Sequence, residues 1–218
     1  LVDSLLCLQN RANISGNILE MGVYRGRSAA LLGRRLKGDE RLTLVDIGDF
    51  LDPNAIQPFR GRVDYHIMST TRMRENLPNY TAKKRSYRFV HIDASHRFKE
   101  TYNELSIADQ MLAPRGVVAM DDFTNLNFSQ NIAAIMKYLY TENTQLRIFL
   151  VTDDKAYLCR TADLDFYTDF IFGGLLSEMS ARSEGDCLIA RTDCEPEYAA
   201  FYLRYRRDDE TGHLYAPD

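Results

Sequence analysis

Short apolar or β-branched runs, each leading straight into Gly, Ser or Asp, recur along this chain with helix-length amphipathic segments between them. The runs are Asn17–Met21, Leu42–Ile47, Val63–Met68, Tyr87–Ile92 and Val117–Met120. A strand that is apolar on both faces must be covered on both, and strands joined through helices lie parallel. The pattern therefore predicts a doubly covered, mostly parallel α/β sheet. In such a sheet the strand ends of one sense share one edge, where ligands bind.

The segments between the runs complete the pattern. The first ten residues read as a helix end, and Ser28–Lys37 as a helix with Leu31, Leu32 and Leu36 on one stripe and Gly38 as its stop. Arg97–Leu112 reads as a helix ended by Ala113-Pro114-Arg115-Gly116, and Ser129–Thr141 as another. Pro53, Pro58, Pro78 and the basic Lys83-Lys84-Arg85 mark loops and wet surface. Leu146–Thr152 and Ala156–Arg160, parted by Asp153-Asp154-Lys155, make an antiparallel hairpin that closes a seven-stranded, Rossmann-like sheet. Residues 1–162 are read as one domain. Residues 163–218 are read as a helical extension packed on it, with Tyr198, Phe201, Tyr202 and Tyr205 at helical spacing behind Pro196, a candidate oligomer or lid element.

Bulk properties narrow the function classes. At 218 residues with 45% apolar content the chain buries one sizeable core. A net charge of -4 gives no basic surface for nucleic acid, so a small-molecule partner is expected. No apolar run nears the ~20 residues of a membrane span, and Leu1–Asn10 lacks the basic start of a signal peptide. Cys7, Cys159, Cys187 and Cys194 form no C-x-x-C pair and fit a reducing compartment, a Cys187–Cys194 bridge being the minority reading. The expected location is cytoplasmic. The chain opens without methionine and its glycine motif arrives only at Gly22, so the start of the protein is expected upstream.

The first strand ends in Glu20-Met21-Gly22-Val23-Tyr24-Arg25-Gly26-Arg27-Ser28. Glycine leaves room for a ligand over a strand end and takes positive φ at little cost. A dinucleotide fingerprint reads G-x-G-x-x-G against a pyrophosphate; here the spacing is G-x-x-x-G and an acid precedes it. S-adenosylmethionine carries an ammonium and no phosphate, which suits Glu20. Asp46, ending the second strand, is placed to accept both ribose hydroxyls. Gly22, Tyr24, Gly26, Ser28 (as helix cap or ligand contact), Ser69 after the third strand and Asp93 complete the expected cofactor set. Taken singly, Gly22 and Gly26 could merely form a tight turn and Asp46 a local cap; their joint order favours the cofactor.

A second acidic site follows. The fourth run closes on His91-Ile92-Asp93-Ala94-Ser95-His96 and the fifth on Asp121-Asp122-Phe123. Carboxylates converging at neighbouring strand ends raise one another's pKa unless a cation sits among them. Mg²⁺ or another divalent cation held by Asp93, Asp121 and Asp122 fits, with positions left for an acceptor's hydroxyls. His96, with Asp93 beside it, is the catalytic candidate and would take the proton. In the bland reading Asp93 closes the cofactor pocket, an aspartate caps a helix and His96 bonds a carbonyl. His91, His66 and His213 are read as structural.

The runs E-M-G-V-Y-R-G-R-S at Glu20–Ser28, F-V-H-I-D-A-S-H at Phe89–His96 and G-V-V-A-M-D-D-F at Gly116–Phe123 together resemble the metal-dependent class I methyltransferases. The resemblance is greatest to the macrocin and mycinamicin sugar O-methyltransferases and the related cephalosporin hydroxylase-like family, over about Asn17 to Arg160. It implies Mg²⁺ at Asp93, Asp121 and Asp122, His96 as base in some members, and a hydroxyl acceptor on a sugar or similar natural product. Ala94 stands where glycine is common, and some relatives have Glu-Asp where this chain has Asp121-Asp122. A catechol-type phenolic acceptor is the second choice, a non-catalytic S-adenosylmethionine-binding module the third, and a nicotinamide oxidoreductase is disfavoured by the glycine spacing.

Overall fold

A computed structural model describes residues 1–76, 86–182, 187–191 and 200–205. Pro78, Lys83–Arg85, Cys194, Pro196, Tyr198 and His213, all singled out above, lie outside the described residues. The expected strands form as β1 (Asn17–Met21), β2 (Leu42–Asp46), β3 (Val63–Ile67) and β4 (Tyr87–Ile92), with β5 running longer than expected, Leu112–Met120. The hairpin is β6 (Leu146–Val151) and β7 (Ala156–Arg160). Two further strands, β8 (Cys187–Arg191) and β9 (Phe201–Tyr205), extend the sheet to nine in the order β3-β2-β1-β4-β5-β7-β6-β9-β8. β1 to β5 pair in parallel, β7 runs antiparallel to β5 and β6, and β9 lies parallel to β6.

Alternation along the strands sorts the core into two faces. On one face Ile18, Leu44, Phe89, Val117 and Tyr157 pack beneath α1 (Val2–Arg11), α2 (Arg27–Gly33) and α7 (Leu164–Phe170). On the other, Leu19, Met21, Val90, Ile92, Val118 and Met120 meet α5 (Phe98–Met111), α6 (Gln130–Thr141) and Met73 of α4 (Thr70–Glu75). The short α3 (Pro53–Ile56) and α8 (Leu176–Arg182) complete the described helices, a π turn over Ile171–Leu175 joining α7 to α8.

Three expectations change. Helix α2 ends at Gly33 rather than Lys37, passing into tighter turns in which the Arg35 and Leu36 amides donate to the Leu32 and Gly33 carbonyls, and the Phe59 ring packs where a Cβ on Gly33 would sit. Helix α5 stops at Met111, ahead of Ala113–Gly116 as expected, but those residues already belong to β5, which begins at Leu112, paired to Tyr87, rather than at Val117. The tail is not wholly helical: Phe201, Tyr202 and Tyr205 sit on β9, whose alternation buries Leu203. The extension shares the first core face, contributing Tyr167, Ile171, Leu175 and Leu203, and the Tyr167 hydroxyl ties it down, donating to the Arg115 carbonyl at 2.5 Å and accepting from Gln9.

The non-ligand edge is pinned by a buried ion pair. Arg88, 0% exposed, donates to both oxygens of Glu40 at 2.9 and 2.8 Å, to Gln9 Oε1 and to the Arg35 carbonyl. Glu40 in turn accepts from the Gly16 and Lys37 amides. Removing one partner of such a pair strands the other charge in the interior. Glu40→Ala is expected to lower the unfolding free energy by about 3–5 kcal/mol in urea titration, and a loss under about 1 kcal/mol would show that Arg88 finds another partner.

Candidate active site

The parallel register brings the C-terminal ends of β1, β2, β4 and β5 to one edge, where backbone bonds continue past the strands. The Gly22, Asp93 and Asp121 amides donate to the Val45, Met21 and Ile92 carbonyls at 2.8–2.9 Å. Gly22, at φ 84°, lies so close to the next strand that a Cβ would fall 1.9 Å from the Asp93 carbonyl oxygen. Its missing side chain thus makes room for the neighbouring backbone rather than for a ligand. Gly26, at φ 81°, is the N-cap of α2, and Ser28 sits inside the helix without capping it. Tyr24, His96 and Asp122 hold φ of 45°, 53° and 54°, so strained backbone is concentrated in the turns that leave these strands.

A cavity of about 500 Å³ opens over this edge. Gly22, Tyr24, Asp46, Ser69 and Asp93 of the expected set line it, as do Ile47, Phe50 and Thr70; Glu20, Gly26 and Ser28 do not. Asp46 Oδ2 accepts from the Val23 and Tyr24 amides at 2.7 and 2.8 Å, while Oδ1 meets only the Gly48 amide at 3.3 Å. Ser69 caps α4 through the Arg72 amide. Tyr24, Ile47 and Phe50 form an exposed apolar rim, with the two rings 6.2 Å apart.

Glu20 is not available to a ligand ammonium, which corrects its expected role. It is fully buried, Oε1 lies 2.9 Å from His91 Nδ1, and Oε2 has no hydrogen-bond partner. Burial works against a charged His91, but hydrogen bonds to Asp121 and Glu20 overcome it and raise its pKa to about 9, so the ring is an imidazolium at neutral pH. His91 is therefore the bridge between the β1 and β5 acids rather than packing alone. Residues two apart on a strand share a face, so the spacing of His91 to Asp93 was the available signal.

The expected three-aspartate set is also rearranged. Asp93, His96 and Asp122 bring one donor atom each within 4.8 Å of one another. His96 Nε2 lies 3.8 Å from Asp93 Oδ1 and 3.5 Å from Asp122 Oδ2. Asp121 is turned instead onto Lys155 Nζ, with His91 Nε2 at 3.7 Å. Burial raises the Asp93 pKa to about 7, reinforced by repulsion from Asp121. Burial would also raise Asp121, but the bonds from His91 and Lys155 hold it well below the usual carboxylate range.

Side chains from the covering helices fix His96. Phe128 stacks on its ring at 4.2 Å, and buried Asn131, itself bonded by Thr101, lies 3.5 Å from Nδ1. Asn125 donates to Asp122 Oδ1 at 2.8 Å. Nothing in the residue spacing around Asp93 pointed to these partners. Glu104 of α5 lines the cavity almost fully buried, accepting from the Thr70 hydroxyl at 2.8 Å and from the Ser95 amide.

Residues 19–123 match the model of a methyltransferase domain. No curated protein matches the chain. Among solved structures it is similar to an O-methyltransferase from Bacillus cereus in complex with SAH, at 17% identity and TM-score 0.57, over 72% of this chain and 78% of that one. It is similar to CalS11, a TDP-rhamnose 3'-O-methyltransferase of calicheamicin biosynthesis, at 21% identity and TM-score 0.54, over 73% and 78%. TomG of Streptomyces achromogenes, an O-methyltransferase in complex with SAM, covers 91% of this chain and 75% of its own at 14% identity and TM-score 0.51. Among the described residues no helix is long and apolar enough to cross a membrane.

Glu104 supplies a pH test. Burial raises its pKa from 4.5 to about 7, opposed by the Thr70 bond. The folded state then binds more protons than the unfolded one between those values, so stability falls as pH rises through that window. The difference approaches about 3 kcal/mol above pH 7. Glu104→Gln should match the parent at low pH and exceed it at pH 8 in chemical denaturation; parallel pH profiles would contradict the assignment. Residues 19–123, which match the methyltransferase-domain model, hold the cavity wall and the acidic turns alike, and the chain has the Rossmann-like α/β fold of the similar structures.

Proposed function

We propose that the protein transfers a methyl group from S-adenosylmethionine to a hydroxyl of a sugar or another small-molecule natural product, assisted by a divalent cation. Asp93 carries this reading, because it belongs both to the cavity wall and to the Asp93–His96–Asp122 cluster. A donor in the cavity and an acceptor at the cluster would be adjacent. The O-methyltransferases among the similar structures, one of them acting on TDP-rhamnose, support this class of acceptor.

The cavity fits a sulfonium cofactor better than a dinucleotide. The Val23 and Tyr24 amides of the turn between β1 and α2 are already taken by Asp46, so a pyrophosphate there would meet a carboxylate instead of free N–H groups. The same negative charge favours a cationic ligand. Asp46 Oδ1 is the atom for a ribose hydroxyl, the Tyr24, Ile47 and Phe50 rim suits a flat base, and Asp93 replaces Glu20 as the carboxylate nearest a ligand ammonium. When bound, this cofactor supplies the methyl group by in-line displacement.

The cluster suits a hard divalent ion, with Asp93 and Asp122 as oxygen donors and water at the remaining positions. Bound there, the ion would hold the acceptor hydroxyl and lower its pKa. His96 Nε2 lies beside both carboxylates and takes the proton, with Phe128 and Asn131 holding the ring.

The test is turnover on a panel of glycosides and catechols with and without chelator, alongside calorimetric titration of S-adenosylmethionine. His96→Ala should lower kcat by about 10²–10⁴-fold with little change in cofactor affinity. Equal losses in both would remove the base role, and full activity in chelator would remove the cation.

A further inference from the structure

We propose that Lys155 is a built-in counter-ion of the acidic cluster, which competes with the divalent cation for Asp121 and leaves that ion only the carboxylates of Asp93 and Asp122. The proposal rests on the reading above for the divalent site itself, and adds which carboxylate the fold withholds from it.

The placement of Lys155 follows from strand register. β7 runs antiparallel to β5 with Ala156 opposite Met120, so the residue before Ala156 falls beside the residue after Met120, which is Asp121. The turn that carries Lys155 is anchored on both sides. Its amide donates to the Thr152 hydroxyl oxygen at 3.0 Å, its carbonyl accepts from the Thr152 amide at 2.8 Å, and the neighbouring Asp154 carbonyl accepts from the Phe123 amide at 2.8 Å. The ammonium is thus delivered by the sheet to Asp121 Oδ2, with the two side chains only 23% and 12% exposed.

Charge explains why it stays. Asp93, Asp121, Asp122 and Asp154 crowd one strand edge, and the Lys155 ammonium acts on Asp93 and Asp154 as well as on Asp121. Half-buried opposite charges in contact attract several-fold more strongly than in bulk water. His91 completes the compensation from the interior side, linked to buried Glu20. A divalent ion that recruited Asp121 would have to displace the ammonium, leaving Lys155 without its partner at the edge. The fold has therefore provided a positive charge that lets the carboxylates coexist before any ion arrives, and that weakens binding of the ion when it does.

The experiment is titration of the whole chain with Mn²⁺, followed by electron paramagnetic resonance of the free ion and by thermal melts in chelator. Lys155→Met should bind Mn²⁺ about tenfold tighter or more, since a third carboxylate joins the donor set. It should also melt lower than the parent in chelator and recover with Mn²⁺. Lys155→Gln, which keeps a polar group on the turn, should show the same gain if the Met variant folds poorly. Adding Asp121→Asn to either variant should abolish the gain. Parent binding with unchanged or weaker affinity in the Lys155 variants would overturn the competition while leaving the divalent site intact. No Mn²⁺ binding by the parent or any variant would overturn both.

Discussion

The close approach of Gly22 to the Asp93 backbone sets the geometry on which the site depends. With no Cβ at Gly22, the ends of β1 and β4 meet at backbone distance, and the Asp93 amide reaches the Met21 carbonyl at 2.8 Å. The Asp121 amide repeats this one strand further along, on Ile92. Asp93 is thereby fixed between the turn into α2 on one side and the Asp121–Asp122 turn on the other. Any larger residue at Gly22 would drive the strand ends apart and separate the cavity from the acidic cluster.

The acids at this edge fall into three environments, and their chemistry differs accordingly. Glu20 is sealed beneath the sheet edge against an imidazolium. Asp46 spends one oxygen on backbone amides and keeps the other at the cavity. Asp93 and Asp122 face each other across His96, while Asp121 is neutralised by Lys155. A carboxylate is thus a buried charge anchor, a cavity-lining group or an ion-binding candidate, depending on what the next strand presents to it.

Much of the fold could be read in advance, because period, run length and the Gly, Ser or Asp after each run are local properties. β1 and β4 match their expected bounds residue for residue, and the antiparallel hairpin forms as anticipated. The residues of the acidic cluster were legible as a group, since Asp93, His96, Asp121 and Asp122 all follow the ends of two neighbouring strands. What could not be read depends on contacts between distant segments. Lys155 reaches Asp121 only through the β5–β7 register, Asn131 reaches His96 only through the packing of α6 on α5, and Phe128 reaches it from the short turn Leu126–Phe128 before α6. The tail misled because aromatic residues at positions 201, 202 and 205 suit both a helix face and a strand, and pairing with β6 and β8 decided for the strand.

The central claim is that one aspartate joins a sulfonium-cofactor cavity to a divalent-ion cluster. A crystal structure of the protein with S-adenosylhomocysteine and Mn²⁺, with anomalous data at the manganese edge, tests it most directly. The account predicts the ribose on Asp46, the amino acid end of the ligand beside Asp93, and an anomalous peak between Asp93 and Asp122 with Lys155 still on Asp121. A ligand bound away from Asp46, or a manganese peak remote from Asp93, would contradict it.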